Sequence, residues 1–390
     1  MAVKILFVCN DLRYFLDHRL FLATEMVRKG HEVALSVGVP DERLAARLPK
    51  AIRLEKLPIV MHRFSPASDL AATVKLARLA TRLSPDLIHS ITLKTNFLCS
   101  LALIWNRLFT RGRTRQGSTP GLVLTFPGLG KVYEPGRHVW SGIRRYLVSS
   151  VFRWTSRWLR SVATVENRAD AAKLVAMNIF PRNRVRSIMG AGIALDRFEP
   201  APRHGPPRVL FAARLLEDKG IRPFLAAART LAEKYPEARF RVAGPIDPTD
   251  PRYVPAELIT EAEKAGWIEY AGHVPSDGMP DLLRANDILC LPTMLREGFP
   301  RVVIEAAACG CAVVASDQPA ISQLLKNGEH GWLVKDISAK TVTEALDDAL
   351  RDITRTREIG NAAALHVRSS SVSDELVARA FHDVYVKLQH

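Results

Sequence analysis

Short apolar runs alternate with longer helical patterns along most of the chain. The runs at residues 4–9, 31–37, 86–91 and 122–126 have the length and composition of buried strands. Between them, apolar residues recur at the spacing of an amphipathic helix, as in residues 17–30, 70–83 and 96–109. This alternation predicts βαβ units and a parallel sheet, hence an α/β fold.

The alternation starts again after a proline-rich segment. Residues 199–208 carry two proline clusters without apolar periodicity, which is typical of a linker. Further strand-like runs follow at residues 209–213, 239–244, 267–272, 287–292 and 311–316, and a helix is predicted at 221–234. We therefore predict two Rossmann-like domains, residues 1–199 and 208–373, joined by a linker at 200–207 and followed by a helix at 374–390.

The segment 296–310, REGFPRVVIEAAACG, combines two acids, a turn and the start of a helix. Gly298 and Pro300 break the strand pattern, and Gly310 suits the position after the last helical turn, so the helix should span residues 301–309. Its free N-terminal amides would then lie beyond the carboxyl ends of the strands, where doubly wound sheets bind anions such as a diphosphate. We expect a ligand site there.

Glu297 and Glu305 flank that helix start, eight positions apart. A carboxylate can accept two hydrogen bonds from neighbouring sugar hydroxyls, so a ligand with two sugars separated by a diphosphate would use both acids and the amides. That ligand is a nucleotide sugar. Alternatively, Glu297 is a solvated loop acid and Glu305 a helix-surface residue.

Two more segments follow predicted strands. Arg214 and Lys219 come after the run at 209–213, where they could neutralise a diphosphate or simply be surface charges. PGLG, residues 127–130, places Gly128 and Gly130 in a second glycine turn at a ligand-facing edge. The pattern of a P-loop is absent there, and no GxGxxG follows the first strand, which disfavours a dinucleotide dehydrogenase.

The charge of the chain is concentrated in its first half. The net charge is +15, with +18 in residues 1–200 and −3 in residues 201–390. The first half should therefore meet an anionic partner: nucleic acid, a membrane surface or a phosphorylated substrate. Five scattered cysteines without a CxxC pattern indicate reduced core residues in a cytosolic protein, and no apolar stretch reaches the length of a membrane span.

Residues 137–160 contain six arginines, three tryptophans and no acid. An apolar stripe with most arginines opposite is typical of an amphipathic helix on a membrane rich in anionic lipid. The arginines of residues 107–115 could extend this surface. The alternative is an ordinary helix packed on the sheet, with a basic outer face. The candidate membrane residues are Arg144, Arg145, Arg153, Trp154, Arg157 and Trp158.

Three motifs in order resemble those of the retaining GT-B glycosyltransferases often called family 4. Glu297 and Glu305 resemble the E-x7-E motif, Arg214 and Lys219 the Arg-x4-Lys donor site, and GAGIALDRF (residues 190–198) the G-x-G-[IV]-x-x-x-x-F loop. The segments AGPIDP, PGLG and NDLRYFLDHR resemble bacterial members that extend polyprenyl-diphosphate-linked or surface-polysaccharide glycans. In this fold the C-terminal helix generally crosses back onto the first domain.

The resemblance implies a role for each motif residue. Arg214 and Lys219 would hold the donor diphosphate, Glu305 the nucleotide ribose, and Glu297 a hydroxyl of the transferred sugar. The region where such enzymes border the base corresponds to His273 and Val274. The backbone beside sugar and phosphate would be that of Gly298, Phe299, Pro300 and Arg301. The leaving diphosphate can itself act as the base, so the resemblance implies neither a metal nor a cofactor.

The first domain departs from the family pattern, because Pro127 and Ile91 stand where many relatives carry histidines. His18, His89 and Lys94 remain candidates for contacts with acceptor or donor sugar, beside Gly128 and Gly130. We expect retaining transfer of a hexosyl or N-acetylhexosaminyl unit, from a UDP-linked donor, to a lipid-linked acceptor on the cytoplasmic face of the membrane. The rivals are a soluble glycosyltransferase with a small acceptor and, remotely, a nucleic-acid-binding protein.

Overall fold

The computed structural model describes residues 2–38, 41–59, 65–110, 119–130, 132–133, 139–190, 192–296 and 298–389, with only the backbone at residues 110, 139 and 140. Two compact units are present: Met1–Gly192 with Glu297–Phe299 and Asp374–His390, and Ile193–Arg296 with Pro300–Ser373. Glu297, and those of the predicted surface arginines that lie at residues 111–115, are outside the described residues.

The first unit alternates strands and helices up to residue 187. Its elements are β1 Lys4–Cys9, α1 Leu12–His18, α2 Leu20–Arg28, β2 Glu32–Val37, α3 Glu42–Ala45, β3 Ile52–Lys56, α4 Pro66–Leu83, β4 Leu87–Ile91, α5 Leu93–Trp105 with a π-helical turn Asn106–Thr110, β5 Gly121–Phe126, α6 Val139–Trp158, β6 Ser161–Val165, α7 Arg168–Ala176 and β7 Val185–Ser187.

The seven strands form a parallel sheet in the order β3-β2-β1-β4-β5-β6-β7. The strand order reverses between β1 and β4. Apolar clusters lie on both faces, one including residues of α4, α5 and α7 and the other residues of α2. Coverage on both faces is why the central strands are almost wholly buried and read as continuous apolar runs.

The second unit repeats the architecture with a six-stranded parallel sheet, ordered β10-β9-β8-β11-β12-β13. The order reverses between β8 and β11. Its elements are β8 Arg208–Ala212, α8 Ile221–Lys234, β9 Arg239–Ala243, α9 Ala256–Lys264, β10 Glu269–Tyr270, α10 Met279–Arg284, β11 Ile288–Leu291, α11 Arg301–Ala308, β12 Ala312–Ser316, α12 Pro319–Leu324, β13 Gly331–Val334, α13 Ala339–Arg351 and α14 Ile353–Arg368.

The last helix, α15 (Asp374–Lys387), belongs to the first unit. Phe381 and Tyr385 join the apolar cluster that also contains Leu22 and Met26 of α2. Leu388 just beyond the helix lies 3.4 Å from the position that a β-carbon on Gly121 would take. The chain end therefore covers one face of the first sheet.

The α/β fold with two Rossmann-like units is confirmed, and two local predictions need correction. The helix predicted at residues 17–30 is shorter, because Arg19, outside helical geometry, separates α1 from α2. The π-helical turn interrupts the helix predicted at 96–109. Across the described ranges, no helix combines the length and apolar content that a bilayer crossing requires.

Candidate active site

The sequence-predicted donor residues of the second unit follow the two strands at which its strand order reverses. Arg214 and Lys219 come after β8, whereas Arg301 and Glu305 belong to α11, which follows β11. β8 and β11 are parallel neighbours, with Val209 opposite Ile288 in the register. All four residues therefore lie at one carboxyl edge, at the topological switch point where open α/β sheets bind ligands.

The loops after β8 and β11 interlock at this edge. The Asp218 carbonyl accepts hydrogen bonds from the backbone N–H groups of Met294 (2.9 Å) and Leu295 (3.2 Å). Gly220 adopts φ +80°, and a β-carbon there would lie 2.0 Å from the Pro292 carbonyl oxygen. Only glycine allows both this conformation and this close approach, so Gly220 fixes the Lys219 turn against the loop before α11.

The loops after β9 and β12 complete the edge. A β-carbon on Gly244, which has φ +147°, would lie 1.7 Å from the Ala213 carbonyl oxygen. The Gln318 side chain, after β12, donates to the carbonyls of Thr293 (2.8 Å) and Leu295 (3.0 Å). The backbone before Arg214 thus packs against Gly244, and Gln318 fixes the segment 293–295 that contacts the Lys219 turn.

A chain of alternating charges runs along this edge from Arg214. Arg214 Nη1 lies 3.6 Å from Asp250, Arg252 lies 2.6 Å from Asp250, and Arg252 also lies 2.7 Å from Asp218. Hydrogen bonding from Arg252 lowers the pKa of Asp250 to about 2. Sequence reasoning missed Asp218, Asp250 and Arg252. The charged residues that follow β9 were a signal that could have identified Asp250 and Arg252.

Lys219 and Arg214 differ in exposure. Lys219 is 9% exposed, in the 3₁₀ turn Glu217–Lys219, whereas the Arg214 side chain is 47% exposed. A buried ammonium strengthens its interactions because the local dielectric constant is low. The edge thus offers one buried and one accessible cation to an anionic ligand.

Glu305 lies on α11 and is 8% exposed. Arg301, one turn earlier, places its Nε 2.7 Å from Glu305 Oε1. An ionised carboxylate offers about four acceptor sites, so this pair leaves Glu305 able to accept from ligand hydroxyls. The helix begins at Arg301 with Pro300 as its N-cap residue, and no side chain caps it.

The remaining donor-side candidates are dispersed. Gly298 and Phe299 group with the first unit, both buried, whereas Glu297 lies outside the described residues. Val274 is half-buried and His273 exposed, after β10 at the far end of the strand order. The structure therefore places Arg214 and Lys219 after β8 and Arg301 and Glu305 on α11 after the neighbouring β11, whereas Val274 lies two strands from β8.

Among the first-unit candidates, His89 and Lys94 have intramolecular partners. His89 is fully buried: its Nδ1 lies 2.6 Å from the Tyr385 hydroxyl and its Nε2 lies 2.6 Å from Thr125 Oγ1. Burial lowers the pKa of His89 well below its ordinary value. The expectation that His89 touches a ligand is therefore corrected to a place in the core, because both ring nitrogens are engaged. Lys94 forms an ion pair with Asp69 at 2.7 Å.

His18 and the glycine turn lie closer to the surface. His18 is half-buried in the last turn of α1, with its ring 4.6 Å from that of Tyr14. Gly128 is half-buried, and Gly130 is exposed with φ +63°. These residues stay candidates for acceptor contacts.

A buried ion pair lies near the carboxyl edge of the first sheet, and sequence reasoning missed it. Arg19 Nη2 lies 2.6 Å from Glu166 Oε1, and the two side chains are 0% and 6% exposed. Burial raises the pKa of Glu166 to about 7 despite this partner. The residues are 147 positions apart, so no local pattern in the sequence signals their contact.

The arginine-rich helix α6 presents its apolar stripe outward. Ile143, Leu147, Trp154 and Trp158 are 43%, 58%, 52% and 39% exposed, while Phe152 is fully buried. Val151, on the same side of the helix, is buried, so the alternative of a packed helix with a basic outer face stays open beside the membrane prediction. Arg144 and Arg157 are exposed, Arg145 and Arg153 are half-buried, and Arg153 donates to the Met177 carbonyl at 3.3 Å.

The chain is similar in sequence to known glycosyltransferases. The chain is 27% identical over 317 residues, 76% of its length and 77% of the relative's, to the N,N'-diacetylbacillosaminyl-diphospho-undecaprenol alpha-1,3-N-acetylgalactosaminyltransferase of Campylobacter jejuni. It is 32% identical to the phosphatidyl-myo-inositol mannosyltransferase of Mycobacterium tuberculosis over 199 residues, 48% of this chain and 51% of that protein.

Solved structures support the same fold. The crystal structure of Anabaena HepE in complex with UDP and glucose aligns with a TM-score of 0.76 at 17% identity, covering 99% of this chain and 100% of that one. Residues 193–366 match the family model described as Glycosyl transferases group 1. The second unit thus matches the glycosyl transferases group 1 family, and the chain is a glycosyltransferase of the GT-B fold.

Proposed function

We propose that the protein transfers a hexosyl or N-acetylhexosaminyl unit, with retention, from a UDP-linked sugar to a polyprenyl-diphosphate-linked glycan or a surface-polysaccharide precursor. One observation carries the donor half: two cations and a buried carboxylate follow two neighbouring strands at the switch point of the second sheet, the cations after β8 and the carboxylate on α11. Cations suit a diphosphate, and a carboxylate suits ribose hydroxyls. UDP is favoured because the solved structure of HepE contains it.

The proposed catalysis rests on charge stabilisation. Negative charge grows on the diphosphate as the sugar leaves, and Lys219, Arg214 and the N-terminal amides of α11 would stabilise it. The leaving diphosphate would take the acceptor proton on the same face. In this proposal Glu297 binds a hydroxyl of the transferred sugar, Val274 borders the base, and the reaction uses neither a metal nor a resident cofactor.

The acceptor half of the proposal rests on the relatives and on the surface of the first unit. The Campylobacter relative is named for a diphospho-undecaprenol substrate and the mycobacterial one for phosphatidyl-myo-inositol, so both names specify lipid-linked molecules. A lipid-linked acceptor remains in the bilayer, which requires the enzyme to work at the membrane surface. His18, Gly128 and Gly130 are the proposed acceptor-side contacts.

The proposed membrane contact is the outward stripe of α6. It places two aliphatic residues and the stacked pair Trp154 and Trp158, whose rings lie 6.0 Å apart, in water. Exposing such a stripe is unfavourable unless a partner covers it. The adjoining π-helical turn adds exposed aromatic and aliphatic side chains at the end of α5, which packs against α6. These are Trp105, Leu108 and Phe109, which are 55%, 56% and 66% exposed.

The flanking charges favour anionic lipid as the cover. Arg144 and Arg157 border the apolar stripe, and α6 has no acid in its first turn. Aromatic residues at the headgroup level beside arginines are the composition of an interfacial helix. We therefore propose peripheral binding at the cytoplasmic face of the membrane, with no role for nucleic acid.

Binding and turnover test the donor half. UDP should raise the melting temperature of the protein, and a screen of UDP-sugars should identify one that is consumed with lipid-linked acceptors. Turnover on water-soluble acceptors alone, without vesicle binding, would support the soluble rival. No stabilisation by any nucleotide, with tight binding to DNA or RNA, would instead support a nucleic-acid-binding protein.

Vesicle flotation tests the membrane half. Phosphatidylcholine vesicles with about one third phosphatidylglycerol should bind the protein, and binding should weaken as salt is raised because part of the attraction is electrostatic. Equal recovery with neutral and anionic vesicles would contradict the proposed lipid preference.

A further inference from the structure

Two residues that follow β6 hold the backbone of the turn at Gly298 and Phe299. The Asn167 side chain donates from Nδ2 to the Gly298 carbonyl at 3.1 Å, and the Phe299 backbone N–H donates to the Glu166 carboxylate. Glu166 and Asn167 are 5% and 3% exposed, so both contacts are shielded from water. Consecutive backbone groups of the turn are thus fixed by consecutive side chains.

The turn has no space to relax toward these side chains. A β-carbon on Gly298 would lie 1.3 Å from the Pro127 carbonyl oxygen and 2.6 Å from Glu166 Oε2. Any other residue at 298 would therefore displace the backbone. The PGLG turn and Glu166 together determine where this stretch of chain runs.

Arg19 fixes Glu166 in turn. Arg19 is 1% exposed and lies at the break between α1 and α2, where its guanidinium contacts Glu166 at 2.6 Å. Tyr14 also interacts with Arg19, and Asp170 lies near Glu166. Burying two charges costs desolvation free energy that their mutual attraction often only just offsets. A buried ion pair is therefore weak evidence of a role in stability alone. Here the pair orients a carboxylate that accepts from the Phe299 N–H.

Asn167 has a chemical feature that capping alone does not require. Its Oδ1 accepts from the Asp170 N–H at 2.8 Å and caps α7. Aspartate, serine or threonine would cap equally well, but only an amide also offers a donor to the Gly298 carbonyl. The choice of asparagine therefore matches the second contact.

We propose that Glu166, Asn167 and Arg19 are positioning residues for sugar transfer: they set the backbone path of Gly298 and Phe299, the two residues that follow Glu297 in the sequence. This inference rests on the proposed function, in which Glu297 binds the transferred sugar. The three residues do not belong to the set proposed to bind the nucleotide, Arg214, Lys219 and Glu305. Their loss should therefore impair turnover of the sugar donor and leave UDP affinity unchanged.

Three variants of the full chain test this. Glu166→Gln keeps the shape of the side chain and removes the charge that Arg19 and the Phe299 N–H share. Asn167→Ser keeps the cap of α7 and is too short to reach Gly298. Arg357→Lys alters a different, partly buried ion pair, with Asp287 at 2.8 Å in the second unit, and serves as the control.

Hydrogen exchange, UDP binding and turnover are measured for each variant. At pH 8, above the Glu166 pKa of about 7, exchange of the Phe299 amide should rise about tenfold in Glu166→Gln, as expected for a lost charge-assisted hydrogen bond. The kcat for the UDP-sugar that the wild type consumes should fall about tenfold in Glu166→Gln and Asn167→Ser, with the Kd of UDP within about twofold of wild type. Arg357→Lys should leave both the local exchange and kcat unchanged.

The outcomes separate the two levels of the proposal. If wild type binds UDP but both variants keep its Phe299 exchange and kcat, the positioning role is wrong and the proposed function stands. A uniform rise of exchange throughout the first unit, matched by a lower melting temperature, would show a purely structural role and would also overturn the inference. If wild type does not bind UDP, the proposed function fails, and the inference fails with it.

Discussion

The exposed stripe of α6 gives a sharp mutational prediction, because the same substitution can be made on and off the stripe. Leu147 is 58% exposed within the stripe, and Leu365, on α14 of the second unit, is 73% exposed. Leu147→Ser should weaken binding to anionic vesicles, whereas Leu365→Ser should not. Both side chains are exposed, so neither change should alter the free energy of unfolding by more than about 0.5 kcal/mol.

The size of the effect follows from the exposed area. Burying a whole leucine side chain is worth about 1.5–3 kcal/mol, so moving its exposed part, somewhat over half, into lipid is worth about 1–2 kcal/mol. Since about 1.4 kcal/mol is a factor of ten in an equilibrium constant, Leu147→Ser should lower the partition coefficient about tenfold. Arg157→Gln should lower it by a smaller factor that vanishes at high salt, at about 1 kcal/mol per charge.

The assay is co-sedimentation with sucrose-loaded vesicles of phosphatidylcholine and phosphatidylglycerol, over a range of lipid concentrations. Circular dichroism and melting temperature establish that each variant is folded. Equal partition coefficients for Leu147→Ser and Leu365→Ser would refute the reasoning, because an apolar stripe that does not enter lipid cannot distinguish them. A tenfold loss in both would show general adsorption of exposed leucines.

Three further predictions concern the catalytic edge and the buried core. Lys219→Gln should lower kcat about a hundredfold and the affinity for UDP by less than tenfold, because the ammonium acts mainly on charge that grows in the transition state; equal losses in both, by steady-state kinetics and calorimetry, would argue for simple binding. Gly220 and Gly266 both have positive φ, +80° and +75°, but only a β-carbon at 220 would meet a carbonyl oxygen, at 2.0 Å. Gly220→Ala should therefore lower the melting temperature far more than Gly266→Ala, and similar losses would contradict the close-approach argument. Burial raises the pKa of Glu166 from its ordinary value to about 7, beside Arg19 and Asp170. Its neutral form is thus favoured in the folded state, a contribution fully present below about pH 4.5 and lost as the pH rises through 7. The free energy of unfolding of wild type relative to Glu166→Gln should therefore decline across that window, and a pH-independent difference in denaturant titrations would count against it.

The sequence alone predicted the architecture, which the structure confirms, and the region of the candidate donor site, which stays a prediction. Parallel strands buried on both faces need continuous apolar runs, so the central strands were visible without any structure. Arg214, Lys219 and Glu305 could be grouped because the carboxyl ends of parallel strands meet at one edge of a sheet. The short strand β7 escaped notice, because its three residues are too few for a periodic pattern.

Only the tertiary structure decided which stripe of α6 is buried and which partners the buried polar groups have. A helical wheel identifies an apolar stripe, but whether a sheet, water or lipid meets it depends on neighbours distant in sequence. Histidine is common in ligand sites, but the buried His89 is instead within hydrogen-bonding distance of Tyr385, 296 positions away. Arg19 and Glu166 are likewise joined only by the fold. The physical reason is the same in each case: local pattern specifies the element, and long-range packing specifies its surroundings.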